Sequence, residues 1–303
     1  MPGLTAVFIL GPTATGKTDF SISLAKKVNG EIISCDSRQF YRELNIGTAK
    51  PTTNQLNEIK HHFINSLSVH QPYTVADFEK DALKIIEKLF REGRVPIIVG
   101  GSGLFAKAIS EGLDKIPETD PAIRKQLVEE LQNDGINVLL EKLKNLDYQY
   151  FNEVDKNNPR RIIRALEVCI STGKPFSYFR QKAPQKRNFN YLKTGFYLPT
   201  NILYTKIDER CEQMLQQGLL EEVKFLYQWK DLPALKTIGY QEFFDYIENK
   251  TSLPEAIKLF KQHSRNYAKR QMTWFRKDSS IRWFDANEKE SAEKYLIEML
   301  NHE

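Results

Sequence analysis

The chain has 303 residues, 41% of them hydrophobic and 27% charged, which bounds it to an ordinary globular protein of one large domain or two modest ones. No apolar run reaches membrane-spanning length and no signal-peptide pattern leads the chain, so neither a membrane protein nor a secreted one is expected. The net charge of +5 is modest, and three scattered cysteines (Cys35, Cys169, Cys211) exclude a disulfide framework and a zinc site and suit a reducing cytoplasm.

The first element is a buried strand over 4–10, ending Val7-Phe8-Ile9-Leu10. It runs into Gly11-Pro12-Thr13-Ala14-Thr15-Gly16-Lys17-Thr18, the pattern G-x-x-x-x-G-K-[ST], and then into a helix over 16–28. This is a phosphate-binding loop in its proper strand–loop–helix context. Glycines let backbone N–H groups turn toward anionic oxygens, and the helix N-terminus adds partial positive charge. Lys17 supplies a full positive charge, and the Thr18 hydroxyl suits a Mg²⁺ ion bridging phosphates.

A second strand, 31–34, ends at Cys35-Asp36-Ser37-Arg38-Gln39, and Gly47-Thr48-Ala49-Lys50-Pro51 reads as a loop. A short strand is expected at 61–65 and a helix from about 75 to 90. Val95-Pro96-Ile97-Ile98-Val99 is the strongest strand signal, and it breaks at Gly100-Gly101-Ser102-Gly103 before another helix. Alternating strands and helices predict an α/β fold: a P-loop NTPase-like parallel sheet with helices on both faces. The loops at 11–18, 36–39 and 100–103 would meet beyond the strand carboxyl ends. From Asp114 the pattern turns helical (121–132, 136–145, 159–171) until a strand at 191–198. We therefore expect a catalytic core of 1–113 and 191–303, with a helical insertion domain over 114–190. A long helix (203–229), a shorter one (239–249), a third (254–275), a strand at 281–284 and a closing helix complete the chain.

Several side chains could carry chemistry. Asp36, at a strand end, could serve as a Mg²⁺ ligand, a general base or a helix cap. No acid follows the apolar strand 95–99, where a P-loop ATPase keeps its metal-organising aspartate, and no Asn-Lys-x-Asp guanine signature occurs. A hydrolytic motor or switch GTPase is thereby disfavoured, whereas a transferase that merely holds a diphosphate is not. Residues 156–187 and 255–277 together carry 16 of the 44 Lys/Arg and 2 of the 39 Asp/Glu. Such concentration fits a polyanionic partner as well as a solvated basic face. Arg160, Arg161 and Arg164 open the helix that begins at Pro159, where guanidinium groups suit phosphates. The 254–275 helix has a basic side (Lys258, Lys261, Arg265, Lys269, Arg276) opposite an apolar one (Ala256, Phe260, Tyr267, Trp274) expected in the core. His61-His62 is not read as a metal site, because neighbouring strand residues point to opposite faces. Arg210 fits either an ion pair with a helix neighbour or a phosphate contact.

Taken in order, the loop at 11–18, Asp36-Ser37-Arg38-Gln39-Phe40-Tyr41, Gly47-Thr48-Ala49-Lys50-Pro51, Gly100-Gly101-Ser102-Gly103-Leu104, Asn158–Val168, Gly239-Tyr240 and Ala268–Arg276 resemble the tRNA dimethylallyltransferase (tRNA isopentenyltransferase) family, in its bacterial form. The motifs span nearly the whole chain. The resemblance implies transfer of a dimethylallyl group from dimethylallyl diphosphate to N6 of the adenosine just 3′ of the tRNA anticodon, with release of diphosphate. It further implies Asp36, Ser102 and Arg210 as catalytic residues, Gly11, Pro12, Thr13, Ala14, Thr15, Gly16, Lys17 and Thr18 as the diphosphate cradle, and Thr18 as the ligand of a Mg²⁺ cofactor. Asp36, Ser37, Arg38 and Gln39 would meet the target base and its neighbours, and Arg160, Arg161, Ile162, Ile163 and Arg164 the anticodon stem-loop. Arg38 and Ser102 depart from the family's usual residues there, and Phe105 from its usual tyrosine. No membrane partner is expected, and a cytoplasmic monomer is. The rival readings are a P-loop small-molecule or nucleotide kinase, an isopentenyltransferase acting on free adenine nucleotides, and a non-catalytic RNA-binding protein.

Overall fold

A computed structural model describes residues 4–180 and 184–302, so Lys182 of the first basic cluster lies outside the described residues. Six strands form one parallel sheet in the order β3-β2-β4-β1-β5-β6. They are β1 (Thr5–Leu10), β2 (Gly30–Ser34), β3 (His61–His62), β4 (Val95–Gly100), β5 (Asn190–Tyr197) and β6 (Ile281–Asp285). β1 is central: Leu10 aligns with Gly100 of β4 on one side and Gly195 of β5 on the other. All six β1 side chains are buried, as a strand covered on both faces requires. Ala6, Phe8 and Leu10 pack beneath α3 (Val75–Arg91) and α4 (Gly103–Glu111). Val7 and Ile9 face α1 (Lys17–Lys27) and the closing helix α14 (Lys289–Asn301).

Residues 112–185 form a compact unit of their own, and 1–111 with 186–303 form the other. The helical unit contains α5 (Pro121–Asp134), α6 (Ile136–Leu146), α7 (Tyr148–Glu153), α8 (Pro159–Thr172) and α9 (Phe176–Phe179). Leu127, Leu139, Leu143, Ile162, Ile163 and Leu166 lie in its core. The sheet unit reclaims the chain before residue 190, because Arg187 donates to the Ile109 carbonyl (2.8 Å) and pairs with Glu79 (2.5 Å).

The expected long helix over 203–229 is broken in two. Gly218, at φ 98°, adopts the left-handed conformation between α10 (Thr200–Gln216) and α11 (Leu219–Leu226). α12 (Gln241–Ile247) and α13 (Leu253–Phe275) follow, with a third core cluster around Leu203, Ile207, Tyr240, Phe243 and Phe260. A short helix not expected from periodicity, α2 (Thr53–Glu58), is nucleated by a reciprocal capping box between Thr52 and Gln55.

Candidate functional site

The carboxyl ends of β1, β2 and β4 converge in register, and the Cys35 N–H bonds to the Val99 carbonyl (2.8 Å). The loops that leave these strands wall a cavity of about 800 Å³ within the sheet unit. Gly11 turns the chain away from β1 at φ +134°, where an added Cβ would fall 2.6 Å from the Phe196 carbonyl oxygen. Gly16 and Ala14 also take left-handed backbone, completing a curled loop against the N-terminus of α1. The Pro12 carbonyl accepts both the Lys17 ammonium (2.5 Å) and the Thr15 hydroxyl (3.0 Å). Lys289, at the start of α14, reaches the Gly16 carbonyl (3.1 Å). Thr13, Ala14, Gly16, Lys17 and Thr18 line the cavity.

Asp36 faces the same space. Its Oδ1 accepts the Arg38 N–H (3.1 Å), which makes a local turn and not the helix cap considered above. The next turn of chain is pinned by Phe40, which is buried and stacks on Phe78 at 5.4 Å. Arg210, from α10, lines the cavity with Asp36 and Lys17. Its possible helix neighbour Asp208 is held instead by Arg265 at 2.7 Å. Burial, together with the nearby Arg210, lowers the Lys17 ammonium to about 7. Arg210 is likewise lowered by burial, a cost that Asp36 partly offsets. Burial and the Asp36 charge push the Cys35 thiol up to about 12, so it is not a nucleophile at neutral pH. Lys17 and Arg210, two cations that cost free energy to bury, line one cavity with Asp36, an arrangement suited to an anionic ligand.

Other expected residues are placed differently. Ser102 immediately precedes α4, its carbonyl accepting the Ala106 N–H (3.1 Å), one residue beyond the cavity wall at Gly100–Gly101. Arg38 and Gln39 line the cavity, yet their polar ends are spent inside the protein. Arg38 donates to the carbonyls of Pro233 (3.2 Å) and Ala234 (3.0 Å), and Gln39 to those of Thr48 and Ala49 (both 3.3 Å). Ser37 lines the cavity beside them.

On α8, Arg160 and Arg161 are exposed. Ile162 and Ile163 are 0% and 4% exposed in the core of the helical unit, so their side chains are out of reach of RNA. The amphipathic helix turns that face inward. Arg164 is committed to Thr119 (2.9 Å) and to Glu167 (3.2 Å), a buried acid that also holds Arg124. On α13, Lys258, Lys261 and Arg265 are paired with Glu255, Glu212 and Asp208, so much of its basic side is neutralised. Tyr267 and Trp274 are 36% and 41% exposed and not core as expected; Tyr267 lines the cavity.

Two residues of the matching motifs, Gln271 and Lys50, have roles at the site that the sequence does not assign. Gln271 accepts the Thr13 N–H (3.0 Å) and donates to the Gly101 carbonyl (2.9 Å), tying two of the loops together. Lys50 lines the cavity with its ammonium held by the Tyr41 carbonyl (2.6 Å), Asn45 (3.0 Å) and Asn65 (2.5 Å), and burial lowers it to about 8. Among the described residues no group of three or more His, Cys, Asp or Glu could hold a metal ion, and His62 instead bonds to Glu31 (2.6 Å).

The parallel sheet, the curled G-x-x-x-x-G-K-T loop at its central strand and the cation-rich cavity define an α/β protein of the P-loop class. The model of the IPP transferase family matches residues 39–278, and the chain belongs to that family. It is 48% identical over 280 residues to a tRNA dimethylallyltransferase of Christiangramia forsetii, covering 92% of this chain and 93% of that one. It is 39% identical to tRNA dimethylallyltransferase 1 of Bacteroides thetaiotaomicron, covering 98% and 97%. Among solved structures it resembles the tRNA isopentenylpyrophosphate transferase of Bacillus halodurans, with TM-score 0.73, 35% identity and 98% and 97% coverage. It also resembles a eukaryotic dimethylallyltransferase acting on tRNA, with TM-score 0.76, 30% identity and 93% and 74% coverage. These likenesses disfavour the kinase, free-nucleotide and non-catalytic readings. Among the described residues, no helix is long and apolar enough to cross a membrane.

Proposed function

We propose that this protein transfers the dimethylallyl group of dimethylallyl diphosphate to N6 of the adenosine 3′-adjacent to the anticodon in tRNA. The observation that carries the reading is the shared cavity of Asp36, Lys17 and Arg210, an acceptor of protons beside two cations, in a chain of the IPP transferase family. The diphosphate lies against the loop from Gly11 to Thr18, with Lys17 and Arg210 balancing its charge. N6 of an adenosine extruded from the loop stack attacks the allylic C1. The C1–N6 bond forms, the C1–O bond breaks, and its electron pair leaves with the diphosphate. Asp36 accepts the proton that N6 loses. Because Lys17 and Arg210 are already in place before charge builds on the leaving group, they stabilise it with little reorganisation.

Mg²⁺ fits the chemistry of this donor set. The Thr18 hydroxyl is a hard oxygen lining the cavity, and this ion usually binds through one or two protein ligands with phosphate oxygens and water. When bound it would add positive charge beside the departing diphosphate. Ser37 is the cavity residue assigned to the base. Exposed Arg160 and Arg161 are assigned to anticodon stem-loop phosphates, and Ser102 to a supporting role behind the Asp36 loop. The protein would work in the cytoplasm, where unmodified tRNA is found, as a monomer. Incubation with Mg²⁺, labelled dimethylallyl diphosphate and unmodified tRNA should place label in tRNA. Phosphoryl transfer from ATP in a parallel reaction, with no label in tRNA, would overturn this reading.

A further inference from the structure

Glu222, in the first turn of α11, makes more bonds to the site's surroundings than any pattern in its own helix explains. Its carboxylate accepts three consecutive backbone N–H groups, those of Asn45 (3.0 Å), Ile46 (2.9 Å) and Gly47 (3.1 Å), and the Tyr240 hydroxyl (2.7 Å). Tyr240 is fully buried, and its ring lies so close to Gly47 that an added Cβ would fall 2.6 Å from it. Three N–H groups of the loop thus donate to one carboxylate, which the Tyr240 hydroxyl also holds, and the loop packs against the Tyr240 ring. Its next two carbonyls, of Thr48 and Ala49, accept the Gln39 amide. The Gln39 carbonyl oxygen accepts the Ser34 hydroxyl (3.1 Å), and the Ser34 oxygen accepts the Asp36 N–H (3.3 Å). Hydrogen bonds joined through the backbone of the 45–49 loop therefore run from α11 to the Asp36 N–H.

We propose that Glu222 is a positioning residue for the transfer: by fixing the 45–49 loop it sets, through Gln39 and Ser34, where the Asp36 carboxylate stands. The inference rests on Asp36 being the base. Only a carboxylate suits the task, since it accepts without donating. A glutamine would offer one acceptor oxygen and set its own N–H groups against the loop's N–H groups. Coupling of this kind matters because a misplacement of about 1 Å far from the chemistry can slow a reaction on the order of 100-fold.

The test uses the full chain and four variants: Glu222→Gln, Glu222→Asp, Gln39→Ala, and Glu222→Gln combined with Gln39→Ala. Single-turnover rates at saturating tRNA and dimethylallyl diphosphate are read alongside the Kd for dimethylallyl diphosphate and hydrogen exchange at amides 45–47. Glu222→Gln should slow the single turnover by on the order of 100-fold with Kd changed by less than about twofold, because the phosphate loop is untouched. The exchange of amides 45–47 should quicken. Glu222→Asp, which keeps the acceptor but shortens its reach, should recover part of the rate. The double variant should be no slower than the slower single, because both break one chain. If Glu222→Gln does not fold, Gln39→Ala and Glu222→Asp still decide the matter, since each should slow the single turnover without weakening dimethylallyl diphosphate binding. Rates near that of the parent despite quickened exchange, or losses that multiply in the double variant, would overturn the proposal. A parent protein that places no label in tRNA would remove the functional reading and this inference with it.

Discussion

Replacing Gln271 by leucine tests whether the two loops at the phosphate site are held by the side chain that joins them. Gln271 is 5% exposed, accepts the Thr13 N–H at 3.0 Å and donates to the Gly101 carbonyl at 2.9 Å. Leucine nearly matches its volume but leaves both backbone groups without a partner. An unsatisfied buried donor or acceptor costs about 1–3 kcal/mol, so the pair should cost roughly 2–6 kcal/mol. For a unit of this size, at about 2–4 °C per kcal/mol, that lowers the thermal midpoint by roughly 4–24 °C. The same change frees the phosphate loop from the Gly100–Gly101 turn, so KM for dimethylallyl diphosphate should rise about tenfold while the chemical step changes less. Thermal denaturation without substrate and steady-state kinetics read the two effects separately. Gln271→Glu is a useful companion: it keeps the acceptor for Thr13 but sets a carboxylate oxygen against the Gly101 carbonyl and a negative charge beside the diphosphate. Its KM should rise further than that of Gln271→Leu. An unaltered midpoint and KM in the leucine variant would refute the argument, since the loops would then be held by something else.

Asp36→Ala should slow turnover by roughly 10²–10⁴-fold while tRNA and dimethylallyl diphosphate still bind, and persistent turnover would mean that Asp36 is not the base. Arg160→Ala with Arg161→Ala should reduce the salt dependence of tRNA binding by about two phosphate contacts; an unchanged slope would return both to the solvated surface. Arg164 is kept in that variant because its removal would take one of two arginines from the buried Glu167. Lys17 carries a pH prediction. With its ammonium lowered to about 7 and a bound anion favouring the charged form, diphosphate affinity should fall by up to about tenfold per pH unit above 7, and Lys17→Met should flatten that slope. In the free protein the sign reverses. Between about 7 and the ordinary lysine value of 10.5 the unfolded chain holds the extra proton, so stability rises with pH across that window. Lys17→Met should therefore raise the thermal midpoint most below about pH 7.

The parts of this molecule governed by local chemistry are legible in its sequence. The apolar runs at 5–10 and 95–100, the periodic face of α3 and the curled loop all follow from neighbouring residues, and so does the meeting of three loops at the sheet's carboxyl edge. Two departures from the expected elements are also local: an apolar period continues across Gly218 and hides the break there, and α2 is marked by the Thr52–Gln55 capping box and not by periodicity. The amphipathic period of α13 points Tyr267 to the core, but that face also borders the cavity, and period does not distinguish the two. What the sequence conceals is long-range. Gln271 meets groups 258 and 170 residues away, and Glu222 meets backbone N–H groups 175 to 177 residues away. Such partners are backbone atoms, which leave no trace in residue identity.

The helical unit begins and ends at one place. The Gln185 side chain donates to the Leu113 carbonyl at 2.7 Å, so the two chain ends of this unit are adjacent. An excursion whose ends already meet adds little strain to the sheet it interrupts, and the entropy of closing it grows only slowly with its length. It is therefore an exchangeable cassette. A graft between relatives, cut at 112 and 185, should therefore leave the cavity of the sheet unit with its geometry.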